Sequence, residues 1–323
     1  MKPILKLYRG YANDQELIVM GHVFKPTTKE DYDFQKRKFK NAKSVIRMFR
    51  IKTQKNASVY LEHNGLKIHT KSLDDGYFKF CIPLTKNSNF GWNEYRVSTF
   101  YNDKEITAKG NYIRPHEGHW GFISDIDDTF LVSHTRNAFK KLYILLFRNV
   151  NDRKIFEDVV PHYQALSAAG RENSNEQNAF FYVSSSEWNL YRFITQFTAL
   201  HKLPKAVLLL KDIKTSLTDF FLTGRGDHDH KFEKIKHILE FYPHLKYVLL
   251  GDDSQHDPYL YEDICKIFPV TVKVVYIRQT GSYKKQKAID ALKNMESMGV
   301  DTCYFKESRE AIAHSEKIGI IQK

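Results

Sequence analysis

Gly121-Phe122-Ile123-Ser124-Asp125-Ile126-Asp127-Asp128-Thr129 decides how the rest of the chain is read. An apolar, strand-like run stops abruptly in carboxylates and a threonine. At the carboxyl end of a parallel strand, such a cluster faces the crevice in which open α/β sheets bind their ligands. Asp125 and Asp127 are two residues apart, so on an extended segment they project to the same side. If Asp125 curls into the loop that follows, one carboxylate can attack while the other handles protons. By itself the stretch is compatible with several metal or acid–base sites.

The sequence that follows alternates strands with helices. Segments 120–124, 179–183, 205–210, 246–250 and 272–277 are apolar almost throughout, as strands buried on both faces should be. Between them, 189–200 and 231–241 read as helices, the second with Phe232, Ile235, Ile238 and Leu239 on one stripe. Helix 282–298, edge strand 302–305 and helix 307–318 close the domain. The pattern predicts an α/β, doubly wound, Rossmann-like parallel sheet. The connection 130–178 is long enough for a small cap over the strand ends. Within it, 135–150 mixes aromatic and aliphatic residues with Lys140, Lys141 and Arg148. It reads either as cap packing or as a helix that dips into a membrane interface and admits a lipid headgroup.

Residues 1–115 have a different character. Short strand-like segments are punctuated by turn signals such as Asn64-Gly65 and Asp74-Asp75-Gly76. They predict a β-rich, sandwich-like domain with a basic, helix-like insertion at 29–50. No catalytic constellation stands out there, and a scaffold or targeting role is expected. Pro115-His116-Glu117-Gly118 marks the junction, giving domains 1–115 and 116–323.

Four further features carry chemistry. Phe180-Phe181-Tyr182-Val183 runs into Ser184-Ser185-Ser186, whose hydroxyls and backbone N–H groups can hold phosphate oxygens. Lys231 opens a helix after Asp229-His230; alone it would read as solvated, but beside a bound phosphate it would neutralise charge. Tyr247-Val248-Leu249-Leu250-Gly251-Asp252-Asp253 repeats the pattern of an apolar strand running into acids, and Asp257 completes G-D-x-x-x-x-D. Such hard oxygen ligands suit Mg²⁺. Asp227-His228-Asp229-His230 has a metal-like composition and reads as a polar loop leading to Lys231, with Zn²⁺ binding as the alternative.

The order D-x-D-x-T, serine, lysine, G-D-x-x-x-x-D resembles the haloacid dehalogenase (HAD) superfamily of aspartate-nucleophile phosphotransferases. The flanking residues, Ser124 to Thr129, Phe181 to Tyr191 and Gly251 to Pro258, are similar to those of the actin-patch phosphatidate phosphatase family, whose catalytic domain is lipin-like. Tyr276-Ile277-Arg278, the terminal 311–321 segment, Tyr8-Arg9-Gly10-Tyr11 and Asp75-Gly76-Tyr77-Phe78 fit the same pattern. Glu187 stands where proline is expected, and Asp253-Ser254 where serine-glycine is expected; both departures lie near the site and bear on substrate choice. The resemblance implies that Asp125 attacks phosphorus and forms a phospho-aspartyl intermediate. Asp127 then protonates the leaving alkoxide and deprotonates the hydrolytic water, and Thr129 braces the loop. It further implies that Ser184, with Ser185 beside it, and Lys231 hold the phosphoryl oxygens. The resemblance implies, too, that Mg²⁺ is bound by Asp125, Asp127 through its carbonyl, and Asp252, with Asp257 as a ligand or support.

Composition bounds the partners. The chain of 323 residues is 42% hydrophobic and carries a formal net charge of +12. Such a balance favours anionic partners or simply a soluble basic surface. Phosphatidate or a similar anionic phospholipid, met at an anionic membrane surface, fits that charge. No nucleic-acid motif is present. Cys81, Cys265 and Cys303 are few and widely spaced, so neither a disulfide framework nor a zinc pair is expected. The first residues lack the apolar core of a signal peptide, and no run approaches the ~18 apolar residues of a membrane span. A cytoplasmic protein, peripheral on the inner face of the membrane, is the expectation. Two other readings compete: a HAD phosphatase acting on a soluble phosphomonoester such as a nucleotide or sugar phosphate, and a non-catalytic phospholipid-binding module.

Overall fold

Six strands from the second part of the chain hydrogen-bond side by side in the order β11-β10-β9-β12-β13-β14. They are β9 (Trp120–Asp125), β10 (Ala179–Glu187), β11 (Ala206–Lys211), β12 (Lys246–Asp252), β13 (Val272–Arg278) and β14 (Asp301–Phe305). Every pairing is parallel. The computed structural model describes residues 4–25, 52–63, 65–84, 88–116, 120–125, 159–171, 176–211, 227–253 and 256–322. The chain divides into two units: 1–116 together with Trp188–Tyr191 and 212–222, and the remainder of the chain.

In the second unit the chain winds outward from β9 through β10 to β11. It then returns to the other side of β9 and winds outward again through β12, β13 and β14. The direction of winding reverses between β9 and β12, where diverging connections open a crevice at the carboxyl ends of the strands. These strands exist because both faces are covered. Phe122, Phe181, Tyr247, Val248, Leu249 and Val275 are all fully buried.

Alternation assigns the faces. Ser124, Leu250 and Tyr276 are in register across β9, β12 and β13 and so share one face. The helices α1 (Val159–Ala168) and α6 (Ser308–Lys317) lie there, with Tyr163 hydrogen-bonded to Ser124 and Ser315 to Tyr276. On the opposite face, Tyr247 donates to the Ile238 carbonyl of α3 (Asp227–Phe241), and Tyr261 of α4 (Asp257–Ile267) packs on Gly251. A Cβ on Gly121 would lie 2.7 Å from the Tyr247 ring, so the glycine lets that ring cross β9. The remaining described helices are α2 (Tyr191–Leu200) and α5 (Gln286–Ser297).

The first unit is built on one mixed sheet. Its strands are β1 (Ile4–Leu7), β2 (Gly10–Ala12), β3 (Glu16–Phe24), β4 (Ser58–His63), β5 (Leu66–Lys71), β6 (Tyr77–Pro83), β7 (Gly91–Tyr101) and β8 (Lys104–Arg114). They run antiparallel except where β2 meets β8. Strict alternation in β6 sends Phe78, Phe80 and Ile82 into a core with Leu17, Val59 and Val97. Trp188 belongs to this unit and stacks on Tyr8 at 4.0 Å between ring centroids. The β-rich character expected of 1–115 is present, with the eight described strands joined in one hydrogen-bonded sheet. The basic insertion at 29–50 lies outside the described residues.

Two local expectations change. Helix α3 begins at Asp227, so the Asp227-His228-Asp229-His230 segment is its first turn and not a loop. Acidic residues there complement the positive end of the helix dipole. Strand β10 does not stop at Val183 but continues to Glu187, with its register shifted between those residues. The serines therefore sit in a bulged strand, a device that re-aims side chains.

Candidate active site

Asp125 ends β9 and Asp252 ends β12, the two strands between which the winding reverses. Asp257 opens α4, which packs back on β12. The reach across is short because Gly251 has no side chain. A Cβ there would lie 2.7 Å from Asp257 Oδ2 and 2.8 Å from the Tyr261 ring. Asp257 therefore folds over the end of β12, and the Asp252 backbone N–H donates to its Oδ2 at 3.3 Å. One carboxylate oxygen from each of Asp125, Asp252 and Asp257 lies within 4.8 Å of the others, and all three residues are buried.

Lys231 reaches this cluster from the first turns of α3. Its Nζ lies 3.1 Å from Asp125 Oδ1 and 3.2 Å from Asp257 Oδ1. Only 5% of the residue is exposed. Far from a solvated lysine, it is a buried ammonium shared by two carboxylates. Asp257 thus engages both its oxygens with protein groups, which suits it to hold the β12–α4 corner together. An all-carboxylate oxygen donor set fits a hard divalent cation such as Mg²⁺. Burial of three like charges is otherwise costly, which is a second reason for a cation there.

Ser184 is fully buried where the register of β10 begins to shift, on the strand beside β9. The Ser185 hydroxyl is also buried, without a hydrogen-bond partner among the described residues. Asp127 and Thr129 lie outside the described residues, as do 130–158 and 172–175 of the expected cap at 130–178. The structure therefore brings together Asp125, Lys231, Asp252 and Asp257, with Ser184 and Ser185 on the adjacent strand.

Three residues near the cluster were given no role by the sequence reading. The Tyr163 hydroxyl lies 2.8 Å from Ser124 Oγ, immediately before Asp125. Burial pushes this hydroxyl up from the ordinary phenol range, against the lowering effect of the Ser124 hydrogen bond. Tyr261 donates to the Leu250 carbonyl at 2.9 Å. Burial, with Asp257 and Asp125 adding, raises its pKa too, so it stays a neutral donor. Arg278 ends β13 in register with Asp252. Burial lowers its pKa to about 10, partly opposed by Tyr163, Asp252 and Glu310. A cation closing an apolar strand beside Asp252 was the signal for Arg278; nothing local signalled the tyrosines.

Asp253 stands where serine is expected, and the structure gives it a different task. Its Oδ1 accepts from Thr280 N–H at 2.9 Å and from Thr280 Oγ1 at 2.5 Å, and its Oδ2 accepts from Tyr304 at 2.6 Å. Lys285 also donates to its carbonyl. The residue anchors the loop after β13 and is not one of the gathered carboxylates. The side chains of Asp227, His228 and Asp229 lie outside what is described.

Residues 120–279 match the family model described as phosphatidate phosphatase APP1, catalytic domain. Phosphatidate phosphatase APP1 of Saccharomyces cerevisiae is 26% identical over 172 residues, which are 53% of this chain and 27% of that protein. The chain thus spans little more than a quarter of that curated relative. Among solved structures, XAC1771, a carbohydrate acetylesterase from Xanthomonas citri, aligns over 98% of this chain and 75% of its own. Its TM-score is 0.34 at 10% identity. A Parabacteroides merdae β-glucuronidase aligns over 94% of this chain and 46% of its own, with a TM-score of 0.28 at 9% identity. Neither likeness carries an argument. The matched segment holds Asp125, Ser184, Lys231, Asp252 and Asp257, and over residues 120–279 the chain is similar to the phosphatidate phosphatase APP1 catalytic domain.

Proposed function

We propose that this protein is a Mg²⁺-dependent phosphatase of the HAD type that hydrolyses phosphatidate or a related anionic lipid phosphomonoester. The observation that carries this reading is the buried cluster Asp125, Asp252 and Asp257 with Lys231 between two of them, at the switch point of a parallel sheet. Similarity to the phosphatidate phosphatase APP1 catalytic domain over the same residues supports a phosphatidate-like substrate. The domains are read as a sandwich-like 1–115 and a phosphatase domain 116–323 with a cap at about 130–178. No helix among the described residues is long and apolar enough to cross a membrane, so contact with lipid is read as peripheral, at an anionic inner-face surface.

The chemistry follows from charge. A phosphomonoester carries about −1.5 to −2 charges at neutral pH. A carboxylate nucleophile cannot approach it unless that charge is neutralised. Lys231 supplies one fixed positive charge within hydrogen-bonding distance of Asp125, and Asp125, Asp252 and the Asp127 carbonyl would hold Mg²⁺, with Asp257 in support. Bound there, the cation would supply Lewis-acid polarisation of the phosphoryl oxygens. Asp125 forms a bond to phosphorus while the lipid alkoxide leaves, and Asp127 delivers the proton to that alkoxide. Asp127 then takes a proton from water, which attacks phosphorus and frees Asp125. Ser184 and Ser185 donate to the phosphoryl oxygens, and Thr129 braces the loop.

The test is phosphate release from phosphatidate in mixed micelles and from p-nitrophenyl phosphate, with Mg²⁺ or with EDTA. Release from phosphatidate that needs Mg²⁺ and vanishes in Asp125→Asn is the expected result. Release from the soluble ester alone sinks the lipid reading, and full activity of Asp125→Asn sinks the nucleophile.

A further inference from the structure

Beyond residue 279, where the family match stops, the chain adds α5, β14 and α6. The junction of the last two grips Arg278. One guanidinium nitrogen donates to Ser308 Oγ at 2.6 Å and the other to the Lys306 carbonyl at 3.3 Å. The Phe305 ring lies face-on at 4.7 Å, in register with Arg278 across the sheet. The junction is itself braced by a capping box between Glu307 and Glu310 at the start of α6. Arg278 is 2% exposed, so its charge is fixed in place and little screened by water.

On its other side Arg278 pairs with Asp252 in the β12–β13 ladder, where directly paired residues project to the same face. Among the described residues, the gathered site holds the carboxylates of Asp125, Asp252 and Asp257 against the cations of Lys231 and Arg278. Lys231 serves Asp125 and Asp257. Arg278 is paired in register with Asp252, the third of these acids, and is attracted by its charge, and together the two cations leave one negative charge in excess.

We propose that Arg278 is a positioning residue of this cluster: gripped by the β14–α6 junction, it is the fixed counter-charge that keeps Asp252 gathered with Asp125 and Asp257 before a cation arrives. The inference rests on the divalent-cation reading of the site. It makes β14 and α6, outside the matched segment, working parts of that site. Arg278 is no ligand and touches no substrate. Removing its charge leaves like charges in close quarters, so the metal-free protein suffers most and a divalent cation relieves the loss.

Thermal unfolding of the full chain in EDTA and across a MgCl₂ titration reads this directly, without turnover. Wild type, Arg278→Gln and Arg278→Lys are compared, with Asp252→Asn as the control for the site. Arg278→Gln should melt below wild type in EDTA. Its Mg²⁺-induced rise in Tm should be at least about twice that of wild type, with half-saturation at a roughly tenfold lower Mg²⁺ concentration. Arg278→Lys, which keeps the charge, should respond within about twofold of wild type. An Arg278→Gln loss that is the same with and without Mg²⁺ overturns the proposal, since packing on Phe305 would then be the whole role. A variant unfolded even at saturating Mg²⁺, or an Arg278→Lys that behaves like Arg278→Gln, overturns it too. Absence of any Mg²⁺ response in wild type sinks the cation reading itself, and this proposal with it.

Discussion

The Lys231 ammonium lies 3.1 Å from Oδ1 of Asp125, with side chains only 6% and 2% exposed. A charge pair so far from water is costly to break, because the partner left behind stays buried and uncompensated. Lys231→Met keeps the volume and removes the charge. Phosphate release should fall by about 100-fold or more, the size of effect seen when one fixed donor is removed from a developing anion. In EDTA the variant should also lose roughly 3 kcal/mol of stability by urea unfolding, with part of it recovered on adding Mg²⁺.

Gly251 is required by contact and not by backbone strain, since its place in β12 suits any residue. Gly251→Ala puts a methyl group 2.7 Å from Asp257 Oδ2 and against Tyr261. Overpacking of this kind costs about 1–3 kcal/mol. The corner that holds Asp257 against the Asp252 N–H must open, so kcat should fall along with Tm. A variant with wild-type kcat would show that the corner tolerates displacement.

Asp253 offers the contrast. Asp253→Ser loses acceptors for Thr280 and Tyr304 and the ion pair with Lys285. Hydrogen bonds to a charged group are worth about 1.5–3 kcal/mol each, so chemical denaturation should show a clear loss of stability. Phosphate release under native conditions should fall far less than in Asp252→Asn. A loss of activity as complete as that of Asp252→Asn would place Asp253 in the reaction after all.

Two buried histidines set the acid limit of the fold. Burial lowers His162 to about 3, with Arg278 and His314 adding; burial also lowers His22 to about 3, with Lys6 adding. In the unfolded chain each histidine protonates near its ordinary value of about 6.5. Between those two values the unfolded state binds more protons than the folded one, so stability falls as pH drops from about 6.5 toward 3. The slope is up to ~1.4 kcal/mol per pH unit for each histidine. Urea unfolding at pH 7, 6, 5 and 4 should show it, and His162→Gln should remove nearly one histidine's share. An unchanged slope would mean that His162 is protonated in the folded protein without penalty.

Much of the architecture was legible because it is local. Apolar runs ending in Asp125 and Asp252 mark strand ends, and their alternation with helical stripes marks the α/β class. Where the structure differs, neighbours outside the segment decide. The Ser184-Ser185 stretch stays in β10 because it lies beside β11, where Glu187 pairs with Lys211. The start of α3 falls at Asp227, a turn earlier than the apolar stripe shows, because the first turn is polar.

The sequence by itself determined which groups are available: two strand-end aspartates, a lysine at a helix start, serines after a third strand, and an acid five residues past Asp252. Only the tertiary structure decided which of them meet. That β12 pairs with β9, that Lys231 bridges Asp125 and Asp257, and that Tyr163 reaches Ser124 all depend on long-range pairing. Such contacts follow from how whole faces pack and leave no local periodicity to read. Arg278 shows the difference most clearly. In the sequence it is a charge at the end of an apolar run. In the fold it stands between Asp252 on one strand and Phe305, Lys306 and Ser308 on the other side, because parallel strands place residues far apart in sequence side by side.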